Sequence, residues 1–298
     1  MSLSPGVHSV IVTPFAADES LDEDALRSVV DYYVAAGVTG ILCLGVLGEA
    51  DRLSDVERER VQRIVLERVR GRDQVTVGIS HPATVVAAER ARSAERVGAS
   101  AVMVAPPGGS AAGPALREHF RRVADGLSIP LVVQDLPSVS GVQLPVDFLV
   151  GLADVLPPGS AIKLEDPPTP AKIEQVRGAA PSLLIFGGLG GAALLQELDA
   201  GSDGTMTGFA LPAILVEIVD AHAAGEAERA RHLFEAALPL LVFEAQPVVG
   251  LGLRKEILRR RGAISDATVR QVAPPLDSRT LAALDSLLDP LLRIEAGA

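Results

Sequence analysis

The chain reads as an α/β protein, a (β/α)8 TIM barrel with a C-terminal helical extension, and three observations predict it. Short runs rich in β-branched and aliphatic residues recur eight times, each followed by turn residues and then an amphipathic helix. A glycine-bearing junction repeats between helix and strand. Beyond about residue 225 the strand-like runs stop while helical periodicity continues. Eight βα units of this length favour a closed barrel, with a doubly wound open sheet as the alternative.

The strand runs are 7–12, 40–44, 75–79, 101–104, 131–134, 161–164, 183–186 and 204–207. Helical spacing is plain in Leu26, Val29, Val30, Tyr33 and Val34, and again in Val61, Ile64, Val65 and Val69. Ser54-Asp55-Val56-Glu57 predicts a capping box at the start of the second helix. The junctions 36–40, 97–101 and 200–204 each place a glycine (Gly37, Gly98, Gly201) where a helix needs a left-handed cap. Helical patterns at 227–243, 248–261 and 278–294 follow the last strand. The expected division is a catalytic barrel over 1–224 and a helical region over 225–298 packed on it.

Composition narrows the function classes. With 298 residues, 48% of them hydrophobic, the chain can bury a large core. A net charge of −11 without dense basic runs over most of the chain argues against nucleic acid or an anionic membrane as partner. The one basic run, Arg254-Lys255 with Arg259-Arg260-Arg261, predicts a solvated or interface helix face. A single cysteine, Cys43, excludes an intrachain disulfide, reads as a small core residue and fits a reducing compartment. No apolar stretch reaches the ~18 residues of a membrane span, and the first residues have no leader pattern, so the expectation is a soluble cytoplasmic protein.

Lysine is rare: three against 24 arginines. Lys163 sits in the apolar run Ala161-Ile162-Lys163-Leu164-Glu165. Burial disfavours an ammonium and favours the neutral amine, the nucleophile that condenses with a carbonyl to a Schiff base. The alternative is a structural lysine paired with Glu165 or Asp166. Alternation puts Ala161, Lys163 and Glu165 on one face and the apolar Ile162 and Leu164 on the other, so Lys163 should point into the barrel. Barrel chemistry occurs at the C-terminal strand ends. Those ends carry Thr13-Pro14-Phe15, Gly45 to Glu49, Ser80-His81, Pro106-Pro107, Gln134-Asp135, Lys163 with Glu165, Gly187-Gly188 and Thr207-Gly208.

In that order, Thr13-Pro14-Phe15, Gly45-Val46-Leu47-Gly48-Glu49, the stretch from Pro130 through Pro137 to Gly141, Ile162-Lys163 and the stretch from Gly201 to Pro212 resemble the dihydrodipicolinate synthase and N-acetylneuraminate lyase family of class I aldolases. The resemblance spans about residues 7–294. It implies a barrel with C-terminal helices, a homo-oligomer (tetramer or dimer), and a lysine, here Lys163, that forms an imine with pyruvate or another 2-oxo acid. It implies neither cofactor nor metal, and the His-x-His pair of metal-bridging barrel lysines is absent.

Departures from the family pattern narrow the reading. Val46 and Leu47 replace the two threonines of its Gly-Thr-Thr-Gly-Glu loop, leaving only their backbone N–H groups to hold a carboxylate. Gln134 occupies the usual tyrosine position, and an amide is no acid or base near neutral pH. A tyrosine is also missing from Ala105-Pro106-Pro107-Gly108, and Leu189 stands where an acidic residue is often found. His81, Glu165 and Asp135 are the replacement acid/base candidates. His81, beside Pro82, also reads as a helix-entry histidine. Glu49, with Gly188 and Thr207, completes the expected substrate-binding set, although Glu49 also reads as a loop brace. The expected activity is Schiff-base lyase chemistry on a 2-oxo acid, as a pyruvate-type aldolase or a 2-keto-3-deoxy sugar acid dehydratase or aldolase. The alternatives are condensation of pyruvate with an aldehyde, and a non-catalytic 2-oxo-acid-binding or regulatory relative.

Overall fold

A computed structural model describes residues 2–71 and 73–297. Eight parallel strands form a closed barrel in sequential order, with β8 pairing back onto β1. The first half comprises β1 (Gly6–Val10), α1 (Glu23–Ala35), β2 (Gly40–Cys43), α2 (Asp55–Val69), β3 (Gln74–Gly78), α3 (Thr84–Arg96), β4 (Ala101–Val104) and α4 (Pro114–Ala124). The second half begins with β5 (Leu131–Asp135), two short helices α5 (Pro137–Ser140) and α6 (Val146–Gly151), and β6 (Ala161–Leu164). It continues through α7 (Thr169–Ala179), β7 (Leu184–Gly187), α8 (Leu194–Asp199), β8 (Gly204–Thr207) and α9 (Pro212–Ala223). Then come α10 (Ala227–Glu244), α11 (Gly250–Arg260) and α12 (Ser278–Gly297). Each of the eight expected strands is present, with ends moved by no more than two residues. The (β/α)8 class is therefore as expected.

Alternation along the strands creates two cores. Inward-facing Val10, Leu42, Ala101, Met103, Val132, Ala161, Phe186 and Met206 fill the barrel, with Leu3 packed against them. Outward-facing residues such as Ile41, Val102, Val133, Ile162 and Ile185 join the apolar stripes of the helices. Local signals hold as well. Ser54 Oγ accepts from the N–H of Glu57, whose carboxylate accepts from the N–H of Ser54. Gly37, Gly98 and Gly201 all take positive φ at their helix ends.

The basic run of α11 divides the solvated or interface face expected of it. Arg254 and Lys255 are buried, the first 3.0 Å from Glu244 and the second 2.9 Å from Glu49. Arg259, Arg260 and Arg261 are exposed, the first two paired with Glu256. Lys255 also donates to the carbonyl of Thr268 and lies 4.4 Å from the centre of the Phe15 ring. Beyond α11 the chain turns back over the barrel. The Gln271 N–H donates to Glu49 at 2.7 Å, and Arg270 stacks on Phe15 while pairing with Glu57. The reason was not visible in local periodicity: Glu49 lies 206 residues from Lys255, and Glu244, ten residues before Arg254, sits on a different helix.

Removing one member of a buried ion pair leaves the other uncompensated. Lys255→Met is expected to lower unfolding free energy by about 3–5 kcal/mol in urea titrations. Adding Glu49→Gln should restore part of that loss; no recovery would mean that the pair is not the source of the effect.

Candidate active site

The register of β5, β6 and β7 builds the site. Gln134 is the cross-strand partner of Lys163, and Lys163 is the partner of Phe186, so all three point into the barrel. Lys163 is only 4% exposed. Its Nζ lies 3.1 Å from Glu165 Oε2, and Gln134 Nε2 donates to that same oxygen at 2.8 Å. The N–H of Leu189 donates to Glu165 Oε1 at 3.2 Å. One carboxylate thus gathers an ammonium, an amide and a backbone N–H at the C-terminal mouth of the barrel.

Glycine makes room for that carboxylate. A Cβ on Gly188 would lie 2.3 Å from Glu165 Oε1. A Cβ on Gly187 would likewise collide with Glu197, another buried acid. The glycine-rich segment after β7 therefore serves the close approach of two carboxylates, a reason beyond a tight turn. Thr169 donates to Glu197 Oε1 at 2.6 Å, while Oε2 is buried without a partner. Burial, reinforced by the negative charge of Glu165, pushes the Glu197 carboxyl up to about 7.

The other expected site residues are placed as follows. Asp135 is buried but turned outward, opposite in parity to Gln134, and accepts from Lys172 Nζ at 2.6 Å. Lys172 bridges it to Asp166. Burial pushes Asp135 up to about 6 against the pull of Lys172. It is thus separated from the face that carries Lys163. His81 Nδ1 accepts from the N–H of Ala83, the residue that caps α3. Its ring still borders a cavity of about 580 Å3 that runs over the ends of β2 to β5 and reaches Gln134. Val46 and Leu47 form a single turn after β2, and their N–H groups meet no protein acceptor among the described residues. Glu49 has left-handed backbone (φ 51°), is fully buried and braces the loop against Lys255 and Gln271. Thr207 is buried on the outward parity of β8, because its neighbour Met206 fills the barrel.

Residues 3–290 match the model of the dihydrodipicolinate synthetase family. The chain belongs to this family. Among its similar relatives is L-2-keto-3-deoxyarabonate dehydratase of Azospirillum brasilense, 32% identical, with 96% of this chain and 95% of that one aligned. Dihydrodipicolinate synthase of Rhodopseudomonas palustris superposes with a TM-score of 0.91 at 32% identity, covering 97% of this chain and 99% of its own. A prophage protein of the same family from E. coli K12, solved in complex with pyruvate, superposes at 0.88 with 25% identity, covering 97% and 99%. This member of the dihydrodipicolinate synthetase family is a lyase.

Sequence reasoning did not single out Glu197, Lys172, Gln271 or Arg58, which lines the cavity and donates to the carbonyls of Ala50 and Gly78. Strand parity alone separates Gln134 from Asp135, a signal present in the chain; the other four are joined to the mouth only by tertiary packing.

Two measurements probe this arrangement. Gly188→Ala should displace Glu165 and lower turnover by at least tenfold while leaving the melting temperature within a few degrees; unchanged turnover would show that Glu165 need not lie there. For Glu197, the folded value near 7 exceeds its ordinary 4.5, so stability is complete below 4.5 and falls as pH rises through 7. Glu197→Gln should therefore stabilise the protein by about 2–3 kcal/mol near pH 8 and have almost no effect near pH 4.5 in matched denaturant titrations.

Proposed function

We propose that the protein is a Schiff-base lyase acting on a 2-oxo acid, with 2-keto-3-deoxy sugar acids as the preferred substrate class. The observation that carries this reading is the buried Lys163 Nζ, 3.1 Å from Glu165 on the inner face of the barrel mouth. Transfer of one proton from Nζ to Oε2 leaves a neutral amine and a carboxylic acid. The amine attacks C2 of the oxo acid, and Glu165 returns its proton to the departing hydroxide, so that water and a protonated imine result.

The imine is an electron sink. Loss of a proton from C3 gives an enamine, and expulsion of the C4 hydroxyl as water then completes a dehydration. Alternatively, the C4 hydroxyl loses its proton and the C3–C4 bond breaks, completing a retro-aldol cleavage. Glu165 is the acid/base group supported by proximity, and Gln134 holds its carboxylate in place. The role of His81 is that of a second proton carrier across the cavity. The N–H groups of Val46 and Leu47 are the proposed cradle for the substrate carboxylate.

Dehydration is favoured over condensation for lysine synthesis on two grounds. The tyrosine and threonine hydroxyls of the family are replaced by Gln134, Val46 and Leu47. The similar dehydratase of A. brasilense aligns over nearly the whole chain. The same reading carries a cytoplasmic homo-oligomer of two or four copies. Its support is the family and the single cysteine, Cys43, which is buried and whose thiol burial pushes up to about 12.

Borohydride reduction in the presence of pyruvate, then of 2-keto-3-deoxy sugar acids, tests the reading. The expected result is a mass increase that maps to Lys163, absent in Lys163→Ala and slowed roughly 100-fold in Glu165→Gln. Turnover by Lys163→Ala would sink the imine mechanism, and trapping without turnover of any substrate would favour the non-catalytic relative.

A further inference from the structure

Two carboxylates flank the end of β7. Phe186 points into the barrel, so strand parity turns Gly187 outward and Gly188 back toward the barrel axis. The space a side chain would take at Gly188 holds the Glu165 carboxylate, and that at Gly187 holds the Glu197 carboxylate. The second acid therefore stands directly behind the strand end that adjoins the first. Glu197 is fully buried on α8. Among the described residues the Thr169 hydroxyl is its one donor, and Oε2 has no partner.

No cation answers this acid among the described residues. Of the elements packed on α8, α7 turns Lys172 to Asp135 and Asp166, and Arg177 to Asp203. On α9, His222 pairs with Asp199 and Glu217 with Arg229. The buried charge of α10, Glu244, is held by Arg254, and β8 carries no charged side chain. Glu165 is the charge that acts on Glu197, and it has the same sign. An unpaired carboxylate is costly in such a place, whereas a neutral carboxyl group is far less so. The folded value of about 7 agrees with this geometry.

The consequence falls on the other side of β7. With Glu197 protonated, the charges of Lys163 and Glu165 cancel at the mouth. With Glu197 ionised, one negative charge is left over, and buried surroundings screen it poorly. A 2-oxo acid is itself an anion.

We propose that Glu197 is a positioning residue: the proton it holds behind β7 keeps the mouth receptive to an anionic 2-oxo acid, and loss of that proton weakens binding of the acid. The role rests on the reading above in one respect, that the 2-oxo acid lies at the mouth beside Lys163.

Isothermal titration of the full chain with pyruvate, at about pH 6 and about pH 8.5 and low ionic strength, reads the effect. The dissociation constant of the parent should rise with pH about three- to tenfold more than that of Glu197→Gln, which cannot ionise. Contributions from His81 and Asp135 are common to both proteins and cancel. Thr169→Val removes the donor that favours the carboxylate, so the rise should move to higher pH; this variant carries the comparison if Glu197→Gln does not fold. A change in affinity that is the same at both pH values marks a merely structural residue and overturns the proposal. Borohydride separates the two readings. Pyruvate trapped at Lys163, but bound with one pH dependence by parent and Glu197→Gln, overturns the role of Glu197 and leaves the imine standing. The expected difference in pH dependence without trapping upholds Glu197 and overturns the imine. No saturable binding of pyruvate overturns both.

Discussion

Burying Glu165 among apolar strands is tolerable only because each of its oxygens finds a donor. Oε2 takes both Lys163 and Gln134, and Oε1 takes the N–H of Leu189. Those three donors come from β6, β5 and the turn after β7, so the carboxylate ties three neighbouring segments of the barrel mouth together. The cost of leaving any of them unpaired in a poorly hydrated interior is larger than the gain from a single surface hydrogen bond. That is why the adjacent backbone must be glycine at 188, where a methyl group would occupy the space of the carboxylate itself. Side-chain chemistry and backbone choice at the mouth are consequences of one buried anion.

The same anion limits its neighbours. Burial, with a smaller push from Glu165, raises both Glu197 and Asp135, and each resolves the cost differently. Asp135 faces outward and receives Lys172, which also serves Asp166. Glu197 has only the hydroxyl of Thr169 and takes up a proton readily instead. The inner face is left with one carboxylate and one amine. In the proposed reaction the pair starts as ammonium and carboxylate and meets again as protonated imine and carboxylate; in the neutral amine the proton stands on Glu165, and in the enamine the nitrogen is again uncharged.

Much of this was legible in the chain. Eight short β-branched and aliphatic runs, the Ser54 capping box and the glycine junctions predict the barrel because they are local consequences of backbone geometry. Strand parity placed Lys163 inward, and the apolar Ile162 and Leu164 on either side of it made that reading firm. The same parity separates Gln134 from Asp135, yet a candidate chosen for residue type alone ignored it. Long-range pairs were illegible. Lys255 and Arg254 look like part of a solvated basic face until α11 is packed against Glu49 and Glu244, acids contributed by the loop after β2 and by α10. Arg58 gave no signal either, since its partners are carbonyls, which every residue has.

Rarity of lysine turns out to mark burial more than catalysis. All three lysines are largely enclosed and paired with carboxylates: Lys163 with Glu165, Lys172 with Asp135 and Asp166, and Lys255 with Glu49. An ammonium is a compact charge whose three donors can be aimed into a narrow space, where a planar guanidinium would need a wider slot. Lys255 shows this, its Nζ held between Glu49, the Thr268 carbonyl and the face of Phe15. Residue type alone therefore does not choose among the three. Lys172 bridges two acids from α7 to the outer side of β5, and Lys255 locks a loop to a helix. Lys163 alone stands on the inner face at the C-terminal mouth, next to an amide that borders the cavity. Position within the barrel, more than scarcity or burial, is what separates a nucleophile from a structural cation.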